Sequence, residues 1–255
     1  MREINAKSNS SVDKVFELLD KLASGGKTLS AGEISEALGV TKATTYSLLR
    51  SCLDSGYVER DPHSGRFALG YKFYEYGMAY RYRFPFLAVA GMHIQRTSAQ
   101  LCVRCVVYVH RGGRAIQILI VDNSPLPDMN WGYSFPVWAC ASGRMLLSAL
   151  SEEALTQELQ GERIPLSPSS VTDETELRDL IAKAKEQGYC IEHGEINPER
   201  TCISAPIYDY SGEMLATVCF QISPQRWQED GDLLTDEACH LAARISLDLG
   251  YKAIG

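Results

Sequence analysis

Side chains able to hydrogen-bond or neutralise anions cluster after Thr41, where Lys42, Thr44, Thr45, Tyr46 and Arg50 follow one another with the small Ala43 among them. On one face of a helix such residues can reach base edges and phosphate oxygens. A second set, Arg60, His63 and Arg66, brackets the turn-forming run Asp61-Pro62-His63-Ser64-Gly65. Lys42, Arg60 and Arg66 suit phosphate neutralisation, and His63 with Ser64 could enter a minor groove. Catalytic chemistry finds less support. The five histidines are scattered, and neither an H-E-x-x-H motif nor a Gly-rich phosphate loop is present. Cys102 and Cys105 form a C-x-x-C, but no second pair at metal-ligand spacing follows, so no metal, no cofactor and no catalytic residue is expected. The eight cysteines (52, 102, 105, 140, 190, 202, 219 and 239) mostly lie in apolar runs, which reads as buried thiols in a reducing compartment.

The elements that must position the first two sets are legible around them. Ile34, Ala37 and Leu38 share a face of a short helix that Gly39 breaks. Thr41 caps a second helix with Leu48, Leu49, Cys52 and Leu53 along its buried stripe, and Gly56 ends it. Two short helices joined by a Gly-bearing turn make a helix-turn-helix. Residues 57–60 and 66–69 form strands of a hairpin wing, with Thr28-Leu29 as a short strand beside it. Val12, Val15, Phe16, Leu18, Leu19 and Leu22 give a preceding helix a broad apolar face that completes a three-helix head. The division expected is a winged helix-turn-helix DNA-binding domain over 1–69, a linker helix over 70–85 and an effector-binding domain over 86–255. The linker is rich in Tyr, sets Phe73, Tyr76, Tyr80 and Phe84 on one side, and is interrupted by Pro85.

Charge follows the same division. The whole chain carries a formal charge of -7, yet up to Arg83 there are 12 Lys and Arg against 10 Asp and Glu, and beyond it 13 against 22. The front is mildly basic and the back acidic. No apolar run is long enough to span a bilayer and the first residues lack a signal-peptide core, so a cytoplasmic protein without a membrane partner is expected. In the second half the pattern gives a helix over 86–101, a hairpin over 103–110 and 115–122, helices from Ala141 to Leu150, after Ser151 and from Thr172 to Gln187, strands at 189–192, 202–208 and 214–221, and a closing helix from Asp232 to Tyr251. That order makes an α+β domain, an antiparallel sheet with flanking helices.

In this arrangement SVDKVFELLDKL, LSAGEISEALGVTKATTYSLLRSCLDSGYVER, RFALGYKFYEYG, ASGRMLLSAL and EQGYCIEHGEINPERTCISAPIYDYSGEMLATVCFQIS together resemble the IclR family of bacterial transcriptional regulators over nearly the whole chain. The resemblance implies a winged helix-turn-helix, a linker helix and a GAF-like domain that binds a small organic effector, commonly a carboxylate or aromatic acid. It also implies a homodimer or homotetramer on double-stranded operator DNA. By the same resemblance an effector carboxylate would lie on backbone amides at Ala141, Ser142 and Gly143 and near Glu192, Cys202, Cys219 and Gln221. Some relatives carry Asp at the first of these four positions and Ser at the last two, which points to a reshaped pocket here. Glu192 facing a carboxylate needs a proton or a partner, and otherwise favours an effector with a hydroxyl or amine. Ser47 stands where the family usually has Arg or another large polar residue, so operator sequence does not carry over. Trp131, Tyr133, Phe135 and Trp138 offer an apolar wall for a flat effector. The alternatives are a thiol-based regulator using Cys202 and Cys219, and an enzyme with an accessory DNA-binding head.

Overall fold

A computed structural model describes residues 11–23, 28–127 and 134–252. The chain divides into two compact units, the first reaching Phe84 and the second taking up at Pro85. In the first, α1 (Ser11–Ala23), α2 (Ala31–Leu38) and α3 (Lys42–Asp54) precede the antiparallel hairpin β1 (Val58–Arg60) and β2 (Phe67–Leu69). Both inner helix starts are capped. Ser30 and Glu33 form a capping box on α2, and the Thr41 hydroxyl accepts from the Thr44 amide at 3.2 Å on α3; each such cap stabilises its helix by about 1 kcal/mol. Gly39 ends α2 with a φ of 61°, a left-handed conformation that costs a side-chain-bearing residue more than glycine.

One apolar cluster holds this unit together: Leu18 and Leu22 of α1, Ile34 of α2, Leu48, Leu49 and Cys52 of α3, and Val58 and Phe67 of the wing. The expected apolar face of α1 is narrower than its sequence, because Val12 and Phe16 are exposed. The short strand expected at Thr28-Leu29 is a single bridge from Leu29 to Phe67. Gly70 follows the wing where a Cβ would come within 2.2 Å of the Gly56 carbonyl, so only glycine lets the chain pass. Next comes α4 (Lys72–Arg81), which has no buried residue.

The second unit runs α5 (Leu87–Leu101), β3 (Arg104–Arg111), β4 (Arg114–Asp122), β5 (Ser134–Pro136), a 3-10 turn at Val137–Ala139, α6 (Ala141–Leu147), α7 (Glu152–Glu158), α8 (Glu174–Gln187), β6 (Cys190–His193), β7 (Thr201–Tyr208), β8 (Met214–Ile222) and α9 (Pro224–Asp248). The strands form a six-stranded sheet in the order β5-β4-β3-β8-β7-β6, antiparallel throughout. An N-terminal helix-turn-helix followed by an antiparallel sheet with helices is the α+β architecture expected. Three boundaries moved. The linker helix expected over 70–85 is α4, which stops at Arg81. The helix expected to reach Leu150 stops at Leu147. The closing helix starts at Pro224 rather than Asp232, because Ser223 caps it and Pro224 occupies its first turn, and a non-helical Asp230 kinks it near the expected start.

Register decides which side chains share a face. Pairing sets Val106 beside Cys219, Tyr108 beside Thr217, Gln221 beside Cys202, Cys219 beside Ser204, and Cys202 beside Glu192. Side chains alternate between faces along a strand, so all of these lie on one inner face. Ala141 and Met145 of α6 pack there with Cys140, Cys190, Cys202 and Cys219 in a single cluster.

Candidate DNA-reading helix and inner-face site

On α3 the residue types first singled out separate into two sides. Tyr46 is 57 % exposed, and Lys42, Ala43, Ser47 and Arg50 are exposed with it, a stripe at helical spacing. Thr45 lies on the other side. It is 0 % exposed and its hydroxyl donates to the Thr41 carbonyl at 3.1 Å, so the expected contact from Thr45 is withdrawn. Thr44 is half-buried and shares a 2.9 Å hydrogen bond with the Thr41 hydroxyl, which leaves it at the edge of the stripe.

The wing is tied down by its own polar groups. Asp61 accepts from the amides of His63 (2.9 Å) and Ser64 (2.6 Å), and these bonds with the Ser64 hydroxyl hold its carboxyl below the usual range. His63 is exposed at the tip, and Arg60 donates to the Gly65 carbonyl while its guanidinium lies over the Phe67 ring. Arg66 differs from the expectation placed on it. It donates to the Thr28 carbonyl and hydroxyl and pairs with Glu33 at 2.7 Å, so it clamps the wing to the start of α2 while its side chain stays 36 % exposed. The capping bonds from Ser30, ahead of that ion pair, hold the exposed Glu33 carboxyl down to about 2.

The inner face of the second unit is chemically unlike this surface. Glu192 is 2 % exposed; its Oε2 accepts the Glu195 amide at 2.8 Å, and its Oε1 has no hydrogen-bond partner among the described residues. Burial pushes its carboxyl up to about 7, against the smaller opposing effects of its hydrogen bonds with the Cys202 thiol and the Glu195 amide. The nearest cation is already committed. Arg144, 0 % exposed, donates through Nη1 to Glu195 Oε1 at 2.8 Å, through Nη2 to Glu195 Oε2, and through Nε to the Trp138 carbonyl at 3.1 Å. Ser170 donates to the Glu195 carbonyl at 2.6 Å, which fixes the loop that carries the Glu195 amide.

Beside Glu192 stand thiols that burial keeps protonated. Cys140 and Cys190 are pushed up to about 12, and Cys202 is driven well above the usual thiol range by its hydrogen bond with Cys219 and by burial. Tyr108 is buried, and its hydroxyl oxygen accepts from the amides of Gln117 (2.9 Å) and Gln221 (3.1 Å). Two accepted bonds occupy that oxygen and leave its own hydrogen to donate. Thr217, on the same face, has a buried hydroxyl without a partner among the described residues.

The residues expected to seat an effector are therefore brought together in part. Glu192, Cys202, Cys219 and Gln221 do share the inner face, with Ala141 packed over it. Ser142 spends its hydroxyl on Ser204 at 2.9 Å. The Gly143 amide is taken by the Cys140 sulfur at 3.3 Å, and a Cβ at this glycine would fall 1.8 Å from the Val137 carbonyl, so it serves the turn that lies against it. Trp138 packs with Val137, Leu147, Leu155, Leu159, Leu177 and Ile181, a different cluster from that of Cys140 and Cys202, and is withdrawn as a wall of the site. Phe135 does belong with Cys140 and Cys202, whereas Trp131 and Tyr133 fall outside the described residues. Sequence reasoning missed Tyr108 and Thr217. The alternation of β8 puts Thr217 on the face of Cys219, but only the register of the pairing with β3 sets Tyr108 beside Thr217. On the opposite face a groove of about 430 Å³ between β7 and α9 is lined mainly by apolar and small residues, among them Ala205, Ala242 and Ala243.

Among the described residues no cluster of His, Cys, Asp and Glu has metal-binding geometry, and no helix is long and apolar enough to cross a membrane.

Comparison with known proteins places both units. Residues 80–247 match the family model for the C-terminal part of bacterial IclR transcriptional regulators, and residues 11–62 match the IclR helix-turn-helix domain. The chain is 27 % identical to the HTH-type transcriptional repressor AllR of Escherichia coli over 97 % of this chain and 93 % of that one. It is 24 % identical to the HTH-type transcriptional regulator XynR of the same organism, over 95 % and 98 % respectively. Among solved structures, an IclR homologue from Microbacterium hydrocarbonoxydans complexed with 4-hydroxybenzoate superposes with a TM-score of 0.79 at 21 % identity, covering 94 % of this chain and 99 % of that one.

Proposed function

The chain belongs to the IclR family of bacterial transcriptional regulators, and on that premise we propose that it binds operator DNA through α3 and the wing, under the control of a small organic acid held on the inner face of the second unit's sheet. The observation that carries the DNA reading is the exposed stripe of Lys42, Ala43, Tyr46, Ser47 and Arg50 on a helix whose start is capped and whose opposite side is fully buried. Thr44 borders that stripe, and Arg60 and His63 add a cation and a donor from the wing. Arg60 neutralises phosphate, and the base edges are read from the α3 stripe.

The effector reading rests on Glu192, Cys202, Cys219 and Gln221 sharing one face with Ala141 and Ser142, the first-turn residues of α6 whose amides have no carbonyl four residues back within the helix. The related homologue bound to 4-hydroxybenzoate supports an aromatic or similar acid. Two copies act together. Val12, Phe16, Tyr74, Tyr76, Met78, Tyr80 and Tyr82 are exposed on α1 and on or beside α4, more apolar surface than a lone helix without a buried residue keeps in water, and a second copy covers it. The effector shifts operator affinity only by its differential affinity for two arrangements of those copies.

Footprinting of the full chain on the promoter regions beside its own gene, across a range of salt, tests this. Protection of a short palindrome that weakens steeply with salt, and that a small acid strengthens or abolishes, is the expected outcome. Absence of protection at any salt overturns the DNA reading, and protection indifferent to every small acid overturns the effector reading. A thiol switch has less in its favour, because burial and the Cys219 bond hold Cys202 in the unreactive thiol form.

A further inference from the structure

The inner face carries polar groups whose needs the protein leaves unmet, and they specify a ligand more narrowly than "small acid". Glu192 Oε1 is an acceptor without a partner on a side chain 2 % exposed, and Thr217 Oγ1, 0 % exposed, is likewise unpartnered among the described residues. Leaving a buried carboxylate oxygen unsatisfied is costly unless the group takes a proton or something donates to it. No side chain nearby can supply that donor in charged form. Of the titratable groups around Glu192, Arg144 on α6 gives its hydrogens to Glu195 and the Trp138 carbonyl, and Glu195 adds like charge. Cys140, Cys190 and Cys202 stand around it as neutral thiols; the Cys202 thiol bonds to the Glu192 carboxyl and to Cys219, but a thiol is a weak donor and leaves Oε1 open to a stronger one. Tyr108 on β3 offers its hydroxyl hydrogen to the same face.

Building on the effector reading above, we propose that the ligand of this face is a hydroxyl-bearing organic acid whose hydroxyl donates to Glu192 Oε1. A hydroxyl donates to Oε1 without the desolvation cost that burying an ammonium adds, and it keeps a bond to the carboxyl when Glu192 holds its proton and an ammonium would have no counter-charge. It also keeps an oxygen lone pair free for a donor such as the Tyr108 hydroxyl. A bare carboxylate at the same position would set acceptor against acceptor and would bind only with a proton taken up between them.

The consequence is a selectivity that depends on pH. The hydroxyl's bond is strongest when Glu192 is ionised, because a charged acceptor makes the stronger hydrogen bond. With the carboxyl pushed up to about 7, the preference for a hydroxy acid over its deoxy counterpart grows as pH rises through that value. Repulsion between Glu192 and the ligand's carboxylate affects both members of such a pair and cancels in the ratio.

Isothermal titration of the full chain with 4-hydroxybenzoate against benzoate, and with lactate against propionate, tests this from about pH 6 to about pH 8.5. The expected result is that in at least one pair the hydroxy acid binds about tenfold or more tighter, that the ratio widens with pH, and that Glu192→Gln makes the ratio independent of pH. Equal affinities within both pairs, or a ratio whose pH dependence survives in Glu192→Gln, overturn the inference and leave the effector pocket standing. If none of the four acids binds, the inference falls, while the effector reading stands or falls on the footprint.

Discussion

The DNA-reading unit and the inner face of the second unit draw on the same residue types, threonine, cysteine, glutamate and arginine, and sort them in opposite ways. In the first unit the core is apolar apart from the self-satisfied Thr45, and the ion pair that matters, Arg66 with Glu33, lies at the surface. In the second, Glu192, Arg144, Glu195, Tyr108, Ser142, Ser204 and Thr217 are all buried. Water screens the first set, so a lost partner there costs little. It is excluded from the second, where each partner gained or lost is felt in full. A surface made to meet DNA can leave its donors to solvent until the partner arrives; a pocket made to meet a small molecule must hold some of them unmet in the dark.

The contrast can be broken most severely at Arg144. Arg144→Met strands the Glu195 carboxylate in the interior and is expected to destabilise the second unit by about 3–5 kcal/mol. Trp138 and Trp227 lie in the second unit, so urea unfolding followed by fluorescence, with amide exchange across α3 read alongside it, separates this loss from the head. A change below about 1 kcal/mol would show that the buried pair is replaceable.

Glu192 gives the next largest effect and its sign is fixed by linkage. Its folded carboxyl is raised from 4.5 to about 7, so the folded state holds the proton more tightly than the unfolded one. Its stabilising contribution is full below the unfolded value and is lost as pH rises through the folded value, by up to about 3 kcal/mol. Glu192→Gln should therefore be more stable than the parent by about 1–3 kcal/mol near pH 8 and no more stable near pH 5. Equal stability of the two proteins across that range would mean that the carboxylate finds a donor on folding.

On the head the expected changes are smaller. Thr41→Ala removes the α3 cap and should cost about 1 kcal/mol, read from faster amide exchange across Lys42–Asp54 with the tryptophan transition unmoved. Smallest of all, Glu75→Ala deletes the exposed Lys72–Glu75 pair at 2.9 Å and should shift stability by no more than a few tenths of a kcal/mol. A loss as large as that of Arg144→Met would erase the distinction between the two regions.

Local patterning made the elements legible. Gly39, Thr41 and Gly56 bracket α3, and the Asp61–Gly65 turn bounds the wing, because caps and turns are decided within a few residues of themselves. The same locality explains the boundary misplaced at α9. The Ser223-Pro224 start was present in the sequence but lay ahead of the apolar period that guided the expectation. Individual site residues were harder. Thr44 and Thr45 are alike by type and adjacent, yet one edges the exposed stripe and the other is buried at 0 % exposure.

What the sequence determined by itself was the list of elements, their order and the family resemblance, all properties of short windows and their succession. What only the tertiary structure decided was which side chains meet. Register placed Tyr108 beside Thr217 on the face of Cys219, packing assigned Trp138 to another cluster, and a contact across 33 positions tied Arg66 to Glu33. Pairing between distant strands has no local signature, since a slip of one residue keeps every element and turns every side chain to the other face. The unmet oxygen of Glu192 belongs to that second kind of fact: it exists only because folding removed water and sent the nearest cation to Glu195.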